Sequence, residues 1–156
     1  MTTSQSKGKG EMRLILQRVA SASVSVEDKM ISKINQGIVV LVGIMDDDTT
    51  EDIEWCVKKC LTIKLFNNWK DTVGAINGEI LSVSQFTLGA SFKKGTKPDF
   101  RKSMKTEEAK IMYNTFFKLL KEKHEGTFDG AFGKMMLVDI QNDGPVTFTL
   151  DSKSPL

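Results

Sequence analysis

The stretch Gly37-Ile38-Val39-Val40-Leu41-Val42-Gly43-Ile44, "GIVVLVGI", is strongly apolar and decides the fold. A strand with one face in water alternates apolar and polar side chains, whereas a strand covered on both faces is apolar throughout. The stretch therefore predicts a central strand that is buried on both faces. The apolar run from Ile38 to Met45 is far shorter than the ~20 residues that span a bilayer, so we expect no membrane segment.

Other apolar runs, alternating or continuous, predict further strands on both sides of this one along the chain. Together with residues 37–44 they bring the predicted number of strands to about seven. The runs are MRLILQRV (12–19), SASVSV (21–26), MISKI (30–34), EILSVSQFTL (79–88), KMMLVDIQ (134–141) and VTFTL (146–150).

Apolar residues at helical spacing predict two helices, over residues 49–65 and 106–123. Asp48 or Thr49 can cap the first helix, and the acidic residues that follow favour the positive end of its dipole. Two helices cannot cover both faces of a seven-stranded sheet. We therefore predict an α+β fold with two packed β-sheet layers and helices on one side, a three-layer β/β/α arrangement.

The composition is that of one globular domain. The chain has 156 residues, of which 40% are hydrophobic and 27% charged, and its net charge is +2. Residues 1–11 carry no apolar side chain after Met1, so we interpret them as a disordered extension or a cloning remnant. Residues 12–156 are predicted to form a single domain. The polar N-terminus does not resemble a secretion signal, which favours a cytoplasmic protein.

Soft metal ligands are few. Cys56 and Cys60 lie four residues apart on one predicted helix face, and we expect both to be small core residues of a reduced protein. His124 is the single histidine and lies in the polar run KEKHEG, where a solvated side chain is expected. We therefore predict neither a metal site nor a cofactor.

Basic residues are concentrated between Lys93 and Lys105, with Asp99 as the one acidic residue among them. A segment of this charge density can neutralise several phosphates of a nucleic acid. A solvated surface loop is the alternative interpretation. The basic residues are Lys93, Lys94, Lys97, Arg101, Lys102 and Lys105.

Two short polar stretches are candidate sites. Ser84-Gln85-Phe86-Thr87 ends an apolar strand, so its hydroxyls can bind a substrate and its phenylalanine can stack on a base. A strand end whose hydroxyls bind local backbone is the alternative. The second stretch, NDGPVT (142–147), contains Gly144-Pro145, whose carbonyls can accept hydrogen bonds from an ammonium group if the peptide is cis. A plain turn between two strands is the alternative there.

The pair of motifs SQFTL (84–88) and NDGPVT (142–147) resembles the two signatures of the D-aminoacyl-tRNA deacylases, also called D-tyrosyl-tRNA deacylases. Three further segments are similar to parts of that family, and the likeness covers residues 12–150. Phe86 places the chain with the main group rather than with a sister group that has Pro-Gln-Ala-Thr at this motif. The further segments are LQRVASASVSV (16–26), GTKPDF (95–100) and FGKMM (132–136).

The resemblance implies an activity and an assembly. Members hydrolyse the ester that joins a D-amino acid, or glycine, to the 3′-terminal adenosine of tRNA, and they act in proofreading during translation. They are homodimers, and a cis Gly-Pro of one subunit enters the active site of the other. There its carbonyls hold the α-ammonium group, and an L-side chain would collide with it. The tRNA 2′-hydroxyl and backbone amides assist hydrolysis, without metal.

Carried onto this chain, the resemblance implies a set of site residues. Gly144 and Pro145 are the chirality filter, and Arg18 braces their loop. Phe132 and Met136 contact the adenosine. The catalytic stretch that lines the pocket for the ester consists of Ser84, Gln85, Phe86 and Thr87.

Three lysines depart from the family pattern. Lys64 and Lys97 stand where many members have arginine, and Lys134 stands where a small residue is common. Lysine keeps the charge of arginine but loses its two-pronged hydrogen bonding. The departures therefore affect RNA contacts rather than the reaction.

A nucleic-acid-binding module without hydrolase activity is the alternative function, since the chain has a basic segment and no nucleophile–histidine pair in its sequence pattern. A thiol enzyme that uses Cys56 is disfavoured because the helix pattern buries that residue.

Overall fold

The predicted central strand is confirmed in a computed structural model, which describes residues 11–153. β3 (Gly37–Gly43) pairs antiparallel with β1 (Arg13–Val26) and parallel with β4 (Glu79–Ser84). Val40 packs into one apolar cluster and Val39 into a second one on the opposite face, each without exposed surface. The continuous apolar sequence therefore serves two cores at once. The predicted extension 1–11 lies, except for Glu11, outside the described residues.

β1 is one strand of 14 residues, where the sequence predicted two. Its first half pairs with β3, its second half pairs with β2 (Lys29–Ile34), and β6 (Leu137–Asp151) pairs with it along most of its length. Register shifts near Gln17 and Val19 interrupt the pairing with β6 but not the strand itself. The break between the two predicted strands, at Ala20, is therefore an irregularity in pairing rather than a turn.

The sheet is mixed and nearly closes into a barrel. Its order is β2-β1-β3-β4-β5, with β6 on β1 and the short β5 (Thr127–Asp129) parallel to β4. β2 reaches back over β5, where Ser32 Oγ donates a hydrogen bond to the carbonyl of Asp129. Apolar side chains, among them Val24, Ile34 and Leu81, fill the space between the two halves. The predicted two β-layers are confirmed, and they are halves of one continuous sheet.

The two helices lie on the other face of the sheet, as predicted. α1 (Thr50–Thr62) and α2 (Thr106–Lys123) cover the larger core, to which they contribute Ile53, Phe116 and Leu120. α1 ends three residues before the predicted boundary, because the chain from Ile63 is extended while its apolar pattern continues. Cys56 and Cys60 are buried in this core, as expected, and burial raises the pKa of both thiols.

Carboxylates organise the start of α1. Asp52 accepts a hydrogen bond of 2.8 Å from the backbone N–H of Thr49, the residue before the helix. Asp48 accepts one of 2.6 Å from the N–H of Met45, but its other oxygen is buried without a hydrogen-bond partner. Burial raises the pKa of Asp48 to about 7. The acidic block therefore serves the helix start, as the sequence indicated, and it leaves one carboxylate oxygen of Asp48 without a hydrogen-bond partner.

Two predictions near the C-terminus are wrong. β5 lies within the glycine-rich stretch GTFDGAFG (126–133), where no strand was predicted. Residues 137–151 form one strand of 15 residues, not two strands joined by a turn at Gly144-Pro145. The observed strands therefore number six among the described residues, where about seven were predicted.

Candidate active site

The SQFT stretch forms a tight turn at the end of β4. The strand ends at Ser84, and Phe86–Gly89 forms a single turn of 3-10 helix, so the predicted strand to Leu88 is too long. The N–H of Gln85 donates to the carbonyl of Val42 on β3 at 2.7 Å, which fixes the first residue of the turn. Gln85 Nε2 donates to Thr87 Oγ1 at 2.8 Å, so these two side chains are paired.

The backbone N–H groups at the start of this turn are its candidate ligand-binding groups. The first N–H groups of a helix have no acceptor within the helix, and here they belong to Phe86 and Thr87. Adjacent N–H groups at a helix start can stabilise a negatively charged oxygen. The turn therefore has the form of an oxyanion-binding site that uses backbone rather than side chains.

Phe86 gives the turn an apolar platform. Its side chain is 58% exposed, and its ring centroid lies 5.0 Å from that of Phe100 in the loop before α2. Ser103 Oγ donates to the carbonyl of Phe86 at 3.1 Å, which ties the same loop to the turn. An exposed, supported aromatic ring can stack on a nucleobase.

The 3-10 turn packs closely against β3 and against the loop before α2, at two glycines. A Cβ atom on Gly43 would lie 2.6 Å from Leu88 Cβ, and one on Gly89 would lie 2.3 Å from Ser103 Oγ. Arg13 Nη1 donates to the carbonyl of Leu88 at 2.9 Å from the neighbouring strand β1. Sequence reasoning missed these positions, although a glycine within an apolar strand is a signal for close approach.

Phe132 and Met136 lie beside the same end of the sheet. The N–H of Gly130 donates to the carbonyl of Ser82 on β4 at 3.0 Å, and a Cβ atom on Gly130 would lie 3.0 Å from Met136 Sδ. The ring of Phe132 packs 5.8 Å from the ring of Tyr113. The structure therefore places the residues 130–136 and the SQFT turn at the carboxyl ends of two adjacent parallel strands, β4 and β5.

A buried polar network supports this edge. The hydroxyl of Tyr113, which has no exposed surface, lies 2.7 Å from Ser82 Oγ and donates to Asp129 Oδ1. Burial raises the pKa of Tyr113, with the charge of Asp129 adding to the effect, and burial also raises the pKa of Asp129. Tyr113 thereby joins α2 to β4 and β5 beneath the candidate site. Its apolar helical spacing gave no sign of this role, although a buried tyrosine usually has a partner.

Gly144 and Pro145 lie in a bulge of β6. Gln17 of β1 is opposite Thr147, and Val19 is opposite Asn142, so the residues 143–146 face Arg18 alone. The Gly144–Pro145 peptide is cis, and Gly144 has φ +122°. Both residues are exposed at the surface of the single chain. The stretch is therefore neither a plain turn nor a regular strand.

Hydrogen bonds hold this bulge rigidly. Asn142 Nδ2 donates to the carbonyls of Arg18 at 2.9 Å and Val146 at 3.0 Å, which closes the loop across its base. Arg18 Nε donates to the carbonyl of Asp143 at 3.3 Å, and Arg18 Nη1 donates to the carbonyl of Leu65 at 2.6 Å. Val146 is buried against the core. Asn142, Leu65 and Val146 were not among the predicted site residues.

The two motifs are far apart within one chain. Arg18 pairs with Ile38 of β3, whereas Gln85 binds Val42, four residues further along that strand. The bulge is also three strand positions from β4, across β1 and β3. Spacings of ~3.3 Å per residue and ~4.8 Å per strand place the two motifs roughly 20 Å apart. The structure thus brings together the SQFT turn, Phe132 and Met136, but not Gly144-Pro145.

Other candidate groups lie away from this edge. His124 is half-buried at the end of α2, and its Nε2 donates to the carbonyl of Gly78 at 2.8 Å, so the prediction that it is solvated is wrong. Within residues 11–153, His, Cys, Asp and Glu side chains form no group of three or more that can hold a metal ion. The three lysines that depart from the family pattern, Lys64, Lys97 and Lys134, are exposed. In the part of the chain that the structure describes, no helix has the length and apolar character needed to cross a membrane.

Known proteins resemble this chain over nearly its whole length. Residues 15–151 match the model of the family described as D-Tyr-tRNA(Tyr) deacylase. A Schizosaccharomyces pombe protein named D-aminoacyl-tRNA deacylase is 48% identical over 148 residues, which are 91% of this chain and 99% of that protein. A Drosophila melanogaster protein of the same name is 46% identical over 147 residues, which are 90% of this chain and 92% of that protein.

Solved structures agree with the fold. A protein described as c-Myc DNA Unwinding Element Binding Protein is 44% identical and superposes with a TM-score of 0.86, covering 92% of this chain and 99% of its own. A eukaryotic protein described as a probable D-amino acid tRNA deacylase has a TM-score of 0.81 at 18% identity, which shows the fold alone. The predicted fold class and family are confirmed. The chain therefore belongs to the D-Tyr-tRNA(Tyr) deacylase family, and it is an enzyme of the hydrolase class.

Proposed function

We propose that this protein hydrolyses the ester bond of D-aminoacyl-tRNA and releases the free D-amino acid and tRNA. The observation that carries the proposal is the 3-10 turn at Phe86, which combines an exposed aromatic ring with two helix-start N–H groups. The ring suits the terminal adenosine, and the N–H groups suit the oxyanion that forms when water attacks the ester carbonyl. Relatives named D-aminoacyl-tRNA deacylase support the substrate class.

The proposed mechanism uses the RNA as well as the protein. Water adds to the ester carbonyl, the N–H groups of Phe86 and Thr87 stabilise the resulting oxyanion, and the ribose 3′-oxygen leaves. The adjacent 2′-hydroxyl assists proton transfer. This division of work fits a chain whose single histidine, His124, lies away from the candidate site and is hydrogen-bonded to Gly78 at the end of α2. Ser84 and Gln85 line the pocket, and Phe132 and Met136 contact the adenosine in this proposal.

The chirality filter is proposed to come from a second copy of the chain. Gly144 and Pro145 are exposed, yet Arg18 and Asn142 hold their loop rigidly, and the loop lies roughly 20 Å from the SQFT turn of its own chain. A homodimer that places this loop in the partner's site explains both features. The carbonyls of Gly144 and Pro145 would then accept hydrogen bonds from the substrate's α-ammonium group.

The filter sets the substrate range by exclusion. A side chain in the L configuration would collide with the Gly-Pro backbone, whereas a D-side chain would point away into solvent. Glycine has no side chain to exclude, so glycyl-tRNA, including glycine mischarged on tRNA-Ala, is also a proposed substrate. The proposed location is the cytoplasm, where the enzyme would remove D-residues before they enter translation.

Purified protein tests this proposal with three substrates: D-Tyr-tRNA, L-Tyr-tRNA and glycyl-tRNA-Ala. We expect release of D-tyrosine and glycine, retention of L-tyrosine on its tRNA, and full activity after treatment with a chelator. Equal hydrolysis of the two tyrosyl enantiomers would contradict the filter. Inactivity on every substrate would contradict the deacylase assignment.

A nucleic-acid-binding module without hydrolase activity is the second candidate function. The basic loop before α2 and the description of the 44%-identical solved structure as a DNA-element-binding protein favour it. Such a module would bind nucleic acid with an affinity that falls with salt and does not respond to Gly144→Ala. A deacylase would lose turnover with that substitution.

A further inference from the structure

The loop between the SQFT turn and α2 forms a cationic cleft of about 330 Å3, hereafter the lysine cleft. Four cationic side chains and one carboxylate face it, so its electrostatic potential is positive. The sequence left open whether these residues are a site or a solvated loop. The lining residues are Ser91, Lys93, Lys94, Asp99, Arg101 and Lys102.

The backbone of the cleft is ordered by its own hydrogen bonds. Ser91 and Asp99 exchange two backbone hydrogen bonds, of 2.9 Å and 2.8 Å, which close the loop at its base. Asp99 accepts hydrogen bonds from Nε and Nη2 of Arg101, and these bonds lower the pKa of Asp99 to about 2. Asp99 thus remains charged and holds Arg101 in place. The cleft is a built concavity rather than a loose chain of lysines.

Three lysines supply the positive charge that Asp99 does not compensate. Arg101 is the cation with which Asp99 forms an ion pair, at 2.7 Å. In the described part of the chain, Lys93, Lys94 and Lys102 form no ion pair within 4.0 Å, and all three are exposed. Glu11 lines the adjoining cavity and is close enough to Lys102 to interact with its charge, but the cations outnumber the carboxylates here. Exposed lysines attract phosphate and release the counterions that surround a nucleic acid.

The lysine cleft continues toward the candidate active site. A second cavity of about 210 Å3 shares Ser91, Lys93 and Lys102 with the cleft and extends to Gly89, the last residue of the 3-10 turn. The same loop carries Phe100, which packs against Phe86. A strand of RNA with its terminal base on Phe86 would therefore have its preceding phosphates within reach of the cleft.

We propose that the lysine cleft binds the phosphates of the tRNA strand that leads to the reacting 3′ end. This inference rests on the proposed function and adds a binding site to it. The ligand class is a single-stranded RNA backbone, held by Lys93, Lys94 and Lys102 as point charges. The cleft fixes the direction from which the substrate enters, while the SQFT turn performs the chemistry.

The test compares two substrates with the same reacting ester, D-Tyr-tRNA and 3′-O-D-tyrosyl-adenosine, which has no phosphate. We expect the double variant Lys93→Ala/Lys94→Ala to raise the KM for D-Tyr-tRNA about tenfold at moderate salt, with kcat unchanged. It should leave the hydrolysis of 3′-O-D-tyrosyl-adenosine at the wild-type rate. The control is Lys118→Ala/Lys123→Ala, which removes the same charge from the exposed side of α2.

Salt dependence gives an independent readout. The affinity of the full-length protein for uncharged tRNA, measured by fluorescence anisotropy, should fall less steeply with salt in the double variant. The logarithmic slope should decrease by about 0.7 for each lysine removed, the value for single strands. The control variant should keep the wild-type slope.

Three results would overturn the inference. The first is a double variant with the wild-type salt slope and the wild-type KM. The second is a loss of activity on 3′-O-D-tyrosyl-adenosine as large as the loss on D-Tyr-tRNA. The third is binding of inorganic phosphate in the cleft with no change in tRNA binding, which would assign the cleft to a free anion. Failure of the proposed function is a different result, inactivity of the wild-type protein on both ester substrates. The tRNA-binding measurement still decides the role of the cleft in that case.

Discussion

Arg18 holds Asp143 at two points, because its Nε lies 3.3 Å from the carbonyl oxygen and 3.3 Å from the carboxylate oxygen Oδ2. Its Nη1 simultaneously donates to the carbonyl of Leu65 at 2.6 Å. One planar guanidinium therefore ties the Gly-Pro bulge of β6 to the chain that follows α1. A single ammonium group cannot reproduce this geometry.

The first prediction is that Arg18→Lys loosens the bulge without unfolding the protein. We expect kcat/KM for D-Tyr-tRNA to fall by about tenfold or more, because the filter backbone would no longer be held in place. The melting temperature should change little. The control is Asp143→Asn, which removes the ion pair but keeps the carbonyl contact and should cost less. Wild-type activity of Arg18→Lys would show that the brace is not needed.

The second prediction concerns Gly144, which has φ +122°. A Cβ atom there would lie 2.7 Å from Val146 Cγ2 and 3.0 Å from Arg18 Nη2. Gly144→Ala therefore requires either the bulge or the arginine to move, and such a shift can cost about 100-fold in kcat/KM. We expect this loss with D-Tyr-tRNA, measured in single-turnover reactions.

Gly133 offers a matched control for this substitution. It also has a positive φ, of +76°, but a Cβ atom there would meet nothing within 4 Å. Gly133→Ala therefore tests a positive φ without a collision, at a φ closer to the left-handed region that L-residues adopt. If both alanine variants lose activity to the same extent, backbone strain rather than the position of the Gly-Pro loop explains the loss.

Much of the fold could be predicted from local pattern. The apolar stretch at residues 37–44 indicated the doubly covered strand, and helical spacing located α2 at its observed bounds, Thr106–Lys123. The pattern failed where β-pairing depends on distant partners. β6 continues through Gly144-Pro145 because β1 supplies partners on both sides of the bulge, at Gln17 and Val19. No local signal distinguishes such a bulge from a turn.

The candidate site was predictable only in part, for a similar reason. The motifs identified the SQFT turn and the Gly-Pro stretch, but their supports come from elements distant in sequence. Arg13 reaches Leu88 across 75 positions, and Asn142 reaches Arg18 across 124. Arg13 and Asn142 are common residue types, and their spacing from the motifs follows no recognisable pattern. Only the register of the sheet brings them together.

The third prediction tests the packing of the SQFT turn against β3. Gly43→Ala would place a Cβ atom 2.6 Å from Leu88 Cβ and 3.3 Å from the carbonyl of Gln85. The turn must then move away from β3, and overpacking of this kind costs about 1–3 kcal/mol. We expect a lower melting temperature and a reduced kcat for D-Tyr-tRNA. Gly74→Ala is the control, since its nearest neighbour would be 3.8 Å away; unchanged turnover in Gly43→Ala would refute this packing role.

The fourth prediction concerns the pH dependence of stability. The pKa of Asp48 is about 7 in the folded protein, raised by burial from an ordinary value of 3.8. Between these two values the folded state keeps a proton that the unfolded state has lost. The free energy of unfolding therefore falls as pH rises from about 4 to about 7, and this contribution is flat above that range.

Asp48→Asn should remove this dependence, because an amide does not ionise and its oxygen can still accept from the N–H of Met45. The shift of about three pKa units converts to about 4 kcal/mol, and partial access of solvent reduces this to about 2 kcal/mol. Urea unfolding at pH 5 and pH 8 measures the difference between wild type and variant at each pH. We expect the variant to gain about 1 kcal/mol relative to wild type between these pH values, because about a third of the effect falls below pH 5. Asp47→Asn, an exposed neighbour, is the control and should show no such gain. A variant that follows the wild-type pH profile would assign the titration to another carboxyl and leave the buried oxygen of Asp48 ionised at neutral pH.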